Sequence, residues 1–156
     1  MEQFLVQNSD VFLRLIIAIT LGTFIGAERL LVHKEAGMKT HALVALGAAV
    51  FVLFSETMAE KYINLPGFNP AMIASNIIVG IGFLGAGSIM LRGPHLVGLT
   101  TAGGLWVTAG IGMACGFGFF DLAVISTFLV LLIFILLNIL EKPIRKISDE
   151  NLNREK

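Results

Sequence analysis

Charge is what this chain runs shortest of. Only 14% of its 156 residues are Asp, Glu, Lys or Arg, and none falls between Lys61 and Arg92, between Arg92 and Asp121, or between Asp121 and Glu141. Soluble domains carry roughly 25% charged residues, so a water-soluble fold is excluded. The formal net charge is zero. No basic surface large enough to collect phosphates follows from such a balance, which rules out nucleic acid as a partner. Cysteine is nearly absent as well. Cys115 stands alone, so it forms no internal disulfide or cysteine-rich metal site and reads as a small apolar packing residue. Proline is scarce too, and Pro66, Pro70, Pro94 and Pro143 all stand between or just after apolar runs, where a helix can stop without damage to its interior. The first residues lack the charged lead and small-residue cleavage pattern of a secretory signal, so the first apolar run is expected to be retained.

What the chain has in abundance is apolar sequence, at 56% hydrophobic residues and a mean hydropathy of +0.85. Five runs stand out: Val11–Ala27, His41–Met58, Ala71–Leu91, Leu99–Phe117 and Leu122–Leu140. The uncharged stretch from Leu122 to Leu140 is 19 residues, about 29 Å as helix, which matches a hydrocarbon core of about 30 Å. The expected fold is therefore an all-α integral membrane protein, a bundle of about five transmembrane helices over residues 1–141, with a short polar tail at 142–156. The brief turn at Phe117–Asp121 makes the last two spans an antiparallel hairpin. No second globular domain fits.

The connections alternate in basic charge. Arg29, Lys34 and Lys39 follow the first span, Arg92 follows the third, and Lys142, Arg145, Lys146, Arg154 and Lys156 fill the tail. The opposite loops hold only Lys61, while Arg14, inside the first span, can reach an interface by snorkelling. A nine-to-one bias places the N-terminus outside and the C-terminus in the cytoplasm.

Lipid gives helices no hydrophobic reason to associate, so small residues and polar groups carry the packing. Ala18, Gly22 and Gly26 recur every four residues, as do Gly104, Thr108, Gly112 and Gly116; Gly80, Gly82, Gly85 and Gly87 crowd the third span. These positions are expected to sit against neighbouring helices or a second copy, with a broken helix lining a ligand path as the alternative. Asn76, an amide inside a span, is expected to hydrogen-bond another helix, with ion coordination the lesser reading.

The clearest polar cluster runs from Glu28 to His41. Arg29, Lys34 and Lys39 there either enforce topology and touch anionic headgroups, or form with Glu28 a cytoplasmic recognition site in which Glu28 pairs with Arg29, Lys39 or Arg92. His33, His41 and His95 fall in the cytoplasmic connections without the short helical spacing of a zinc pair. There is no phosphate loop, dinucleotide fingerprint or nucleophile elbow, and no nucleophile and base combination that would make an enzyme. No cofactor is called for. A magnesium path asks for several hard oxygen ligands; Glu28 is read as the carboxylate beside a span on the cytoplasmic side, Asp121 lies at the opposite face, and the identity of any metal stays open.

Four motifs occur in order: Gly22–Arg29 as G-x-x-x-G-A-E-R, Lys34–His41 as K-E-A-G-M-K-T-H, Asn76–Gly87 as N-x-x-x-G-I-G-F-L-G-A-G, and Gly98–Trp106 as G-L-T-T-A-G-G-L-W. Together they make the chain resemble the MgtC/SapB family of bacterial inner-membrane proteins. The resemblance implies a multi-pass membrane protein linked to magnesium limitation, acid stress or survival in a host, either regulating a partner membrane complex or acting as an oligomeric transporter of magnesium or another small solute. It puts weight on Glu28, Arg29, Lys34, Thr40, His41, Asn76, Thr100 and Thr101. Its partners would be the lipid bilayer, a second copy or another inner-membrane complex. Many relatives look like D-P-x-R-x-A-A-Q before the glycine run. Here Asn69, Pro70, Met72, Ala74, Ser75 and Asn76 lack both the acid and the base. Longer relatives add a soluble C-terminal domain; with 14 residues after Lys142, regulation through such a domain is not expected within this chain.

Overall fold

In the computed structural model, residues 8–62 and 71–154 are described, with side chains given through Glu141 and at Pro143. Five helices and one small hairpin follow in order: α1 (Ser9–Leu31), α2 (Met38–Tyr62), α3 (Ala71–Gly87), β1 (Met90–Arg92), β2 (His95–Val97), α4 (Leu99–Gly116) and α5 (Phe120–Arg154). The protein is an all-α membrane protein apart from that hairpin. Three helices, Ser9–Leu31, Met38–Tyr62 and Phe120–Glu141 within α5, are long and apolar enough to cross a bilayer, and Ala71–Gly87 is a shorter apolar helix. The expected loop with Pro66 and Pro70, together with Asn69, lies outside the described residues.

Central to the bundle is α4, which packs against each of the other four helices. Its buried positions include Thr101, Gly104, Thr108, Ala109, Gly112, Ala114, Cys115 and Gly116, nearly all small. The large apolar side chains point the other way: Phe83, Val79, Phe128, Leu122 and Ile125 are all exposed. This inverts a soluble core, as expected where lipid already solvates leucine and attraction between helices comes from close backbone approach. A Cβ added at Gly112 would collide with the backbone of Ala45, and one at Gly116 would stand 2.7 Å from Val52 Cβ. On α1, Gly22 leaves room for the His41 carbonyl, 2.7 Å from where its Cβ would be. These glycines let α1, α2 and α4 touch along their length.

On α3 the helices of the chain itself cover only part of the glycine run. Gly85 meets Ala102, with 3.5 Å between an added Cβ and the Ala102 Cβ, but Gly80, Gly82 and Gly87 have nothing within 4 Å. Only Ile77 and Gly85 of this helix are buried. Its glycine-rich surface therefore faces outward in the single chain.

Two further boundaries differ from expectation. The third apolar run stops being helix at Gly87, because Ser88 turns back to donate its hydroxyl to the Gly85 carbonyl at 2.7 Å. Gly93 (φ 61°) and Pro94 then turn β1 into β2, pairing Leu91 with Leu96 and Arg92 with His95. Gly98, at φ 94°, leads into α4 with its Cα beside the Ser88 carbonyl, where a side chain would not fit. At the other end, α5 continues through Pro143 to Arg154, so the tail begins as helix. Proline removes one hydrogen bond, leaving the Ile139 carbonyl without its amide, but a helix that has left its apolar stretch can satisfy that carbonyl with water.

Helix ends fix the polar residues. At the end of α1, His33 adopts φ 56°, the His33 amide donates to the Leu30 carbonyl at 3.1 Å, and the Lys34 amide donates to the Arg29 carbonyl at 2.9 Å. That is a Schellman motif built on a non-glycine residue. The end of α4 repeats it with Gly118 at φ 76°, its amide donating to the Cys115 carbonyl and the Phe119 amide to the Ala114 carbonyl at 2.8 Å.

Candidate functional site

Glu28 and Arg29 occupy the last turn of α1, immediately before the Schellman turn that pins the Arg29 carbonyl. Both are buried, with 10% of the Glu28 side chain and 3% of the Arg29 side chain exposed. The Arg29 guanidinium donates from Nε to Glu28 Oε2 and also pairs with it through Nη2. Its carbon lies 3.5 Å from the centre of the Phe134 ring on α5, a cation over an aromatic face. The cation is thus held by one carboxylate and one ring, both inside the bundle.

His41 is the largest departure from the sequence reading. It lies in the first turn of α2 and is wholly buried, not in a solvated connection. Its Nδ1 sits 2.8 Å from Thr108 Oγ1 on α4. Thr108 donates its own hydroxyl proton to the Gly104 carbonyl at 2.7 Å, so Nδ1 must carry the proton in the bond to Thr108. The lone pair of the neutral ring then falls on Nε2. The charges of Arg29 and Glu28 act on the ring, and Nε2 has no hydrogen-bond partner of good geometry among the described residues. Gly104 makes space for this arrangement: a Cβ there would be 3.2 Å from Phe134 Cζ and 3.4 Å from His41 Cε1. Thr101, one turn earlier on α4, is also buried.

The structure thus gathers Glu28, Arg29, His41, Thr101, Gly104 and Thr108 at one end of the bundle and adds Phe134, which sequence reasoning missed. It leaves other named residues outside. Lys34, Lys39, Thr40 and Thr100 are exposed. Arg92 pairs with Glu35 at 3.6 Å on the surface, not with Glu28. Asn76 is exposed and lines a cleft of about 660 Å³ between α2 and α3, and among the described residues it makes no interhelical hydrogen bond.

A second polar cluster closes the opposite end. Arg14 does not reach for solvent: its Nη1 donates to Glu56 Oε2 at 2.9 Å and to the Gly116 carbonyl at 2.7 Å, and its Nε lies 2.8 Å from Asp10. A cation at the carboxyl end of α4 satisfies a terminal carbonyl and suits the helix dipole. The sequence signal was available in the spacing Asp10-to-Arg14, one helical turn, but Glu56 comes from another helix.

The four-motif resemblance is decided by comparison with known proteins. The model of the MgtC family matches residues 15–143. The chain belongs to the MgtC family. The matched span encloses the whole Glu28–Arg29–His41–Thr108 cluster, together with Phe134. MgtC of Salmonella typhimurium LT2 is 48% identical over 125 residues, which cover 80% of this chain and 51% of that protein. MgtC of Brucella abortus is 41% identical over 132 residues, 85% of this chain and 51% of that one. YhiD of Escherichia coli K12, named as a candidate magnesium transporter, is 39% identical over 129 residues, 81% of this chain and 60% of YhiD. The chain therefore spans about half to three-fifths of the length of these curated relatives. No solved structure matches it. The family and the apolar helices make this a bacterial membrane protein.

Proposed function

We propose that this MgtC-family protein is a non-enzymatic, multi-pass protein of the bacterial inner membrane that serves adaptation to magnesium limitation, acid stress or life in a host by regulating a partner membrane complex. The observation that carries the reading is the outward face of α3. In water each glycine weakens a helix by roughly 1 kcal/mol relative to alanine, and close backbone packing is what offsets that in a membrane. Gly82 and Gly87 find nothing within 4 Å in the single chain, while Val79 and Phe83 beside them are 74% and 80% exposed. A helix so provided is suited to a surface supplied from outside the chain. The bundle's own interior charges, by contrast, are spent on each other: Arg29 on Glu28, Arg14 on Glu56. The basic pole around Glu28 belongs on the cytoplasmic side by its charge bias.

A photo-reactive residue at Gly82, used in native membranes and followed by mass spectrometry of the adducts, tests this. Adducts to one foreign membrane protein are the expected result. Adducts only to a second copy, together with magnesium flux in proteoliposomes of the purified protein, would replace this reading with that of an oligomeric transporter, toward which the name of YhiD points.

A further inference from the structure

We propose that the cleft between α2 and α3 binds one anionic glycerophospholipid, with its phosphate at Lys39 and Thr40 and an acyl chain lying along Val44, Gly47 and Gly80. The cleft, of about 660 Å³, is apolar for most of its length and has Lys39 and Thr40 at one end. A second cavity of about 380 Å³ shares Thr40, Val44 and Leu84 with it and adds Glu35, Ser88 and Thr101. The two thus adjoin at Thr40, so the polar groups gather at one end of the cleft and apolar ones line the rest.

Both groups at the mouth are unspent. Thr20, Thr23, Thr57, Thr108 and Thr127 each donate their hydroxyl to the carbonyl four residues earlier. Thr40 makes no such bond and Lys39 has no carboxylate among the described residues. Glu35, the acid at the mouth, is taken by Arg92 at 3.6 Å. The free charge there is Lys39's ammonium, and its complement is a monoanionic phosphate. An ammonium beside a hydroxyl offers the donors such a phosphate needs.

The dimensions select a lipid chain over a helix. From Lys39 to Phe51 the cleft follows α2 for about 18 Å at roughly 1.5 Å per residue, close to one leaflet of a hydrocarbon core of about 30 Å. Gly47 and Gly80 line it, and nothing lies within 4 Å of where their Cβ atoms would be. Leu43, Phe51 and Leu84 stand exposed along it. Bulky rims over a glycine floor keep a helix backbone away while admitting a flexible chain. Asn76, at the end of the cleft remote from Lys39, offers a hydrogen bond that an acyl chain does not use.

Native mass spectrometry of the intact protein, released from bilayers of equal phosphatidylglycerol and phosphatidylcholine, tests the proposal. The wild type should retain phosphatidylglycerol over phosphatidylcholine by about fivefold, the ratio that corresponds to the ~1 kcal/mol of one basic residue at an anionic surface. Lys39→Gln should bring that ratio to about one. Gly47→Phe and, independently, Gly80→Phe project into open space, so they should fold and should lose both lipids. Asn76→Leu should change nothing. Equal retention of the two lipids by the wild type, or an unchanged ratio in Lys39→Gln, overturns the proposal whether or not the filled variants fold. Retention that survives both fillings puts the lipid elsewhere on the bundle, and lipid lost in Asn76→Leu puts its polar contact at the other end of the cleft; either result also overturns it. None of these results bears on a partner at Gly82, which does not line the cleft.

Discussion

Removing the charge of Glu28 while keeping its shape isolates what the buried pair contributes. In Glu28→Gln the Arg29 guanidinium keeps its place over Phe134, 3.5 Å from the ring centre, and an amide oxygen to donate to, but loses its counter-charge with only 3% of its side chain exposed. Breaking one side of a buried ion pair costs about 3–5 kcal/mol, since the remaining charge is left uncompensated. The retained hydrogen bond places this variant near the lower value, and for a chain of this size about 3 kcal/mol lowers a melting temperature by roughly 6–12 °C. Replacing both partners, Glu28→Met with Arg29→Met, removes the charge together with its desolvation cost and leaves a methionine against the Phe134 ring. The double variant should therefore melt within about 4 °C of the wild type. Thermal denaturation of the three proteins in one detergent is the assay. A single variant as stable as the wild type, or a double variant as unstable as the single, refutes the account of a costly buried cation. Growth in low magnesium then separates structure from function: a double variant present at normal abundance that still fails to support growth shows that the charges themselves are used.

Replacing His33 with glycine should stabilise the protein by up to about 1 kcal/mol, because the residue at φ 56° forces a side chain into the left-handed region; an unchanged or lower melting temperature counts against the Schellman turn. Gly112→Leu should prevent assembly of the bundle, since its Cβ already meets the Ala45 backbone, whereas Gly82→Leu should leave the purified monomer's stability unchanged. Equal effects of the two in detergent would contradict the division between inner and outer glycines. Reporter fusions after Lys156 and within 62–69 should report opposite sides of the membrane, and agreement between them would sink the five-span orientation.

Much of the helical plan was legible because spans leave a coarse signal. The starts of α3 and α4 were read to the residue, and α1 and α2 each run past their predicted ends by only a few, since amphipathic turns such as Arg29–Leu31 extend a helix beyond its apolar stretch. The hairpin at Met90–Val97 was hidden because Ile89, Met90 and Leu91 continue the hydropathy of α3, and periodicity cannot separate three residues of strand from a last helical turn. Pro143 misled for the opposite reason, since a residue that discourages helix does not forbid it where water replaces the lost bond. The glycines of α1 and α4 were readable because a repeat of four stays on one helix face. On α3 Gly85 turns inward to Ala102 while Gly80, Gly82 and Gly87 turn outward, so their number said nothing of which would be covered. His41 illustrates the limit most sharply. Beside Lys39 and Thr40 it looks like part of a basic loop, yet one helical turn sends neighbours to opposite sides, and only the facing Thr108 and Gly104 make the inner side habitable. Arg29 over Phe134 joins residues 105 positions apart, which no local pattern encodes.

The small-residue interior of α4 also has a genetic consequence. Any single-base change in a glycine codon that alters the residue adds at least a methyl group, and at Gly112 and Gly116 even a methyl meets backbone or Val52. The centre of this bundle therefore has almost no neutral neighbours in codon space. The outward leucines and isoleucines of α5, such as Leu122, Ile125 and Ile133, exchange among themselves by one base at little cost in lipid. Drift in this protein is channelled to its rim, so two diverging copies would come to differ in the surface they offer to neighbours long before they differ in how they fold.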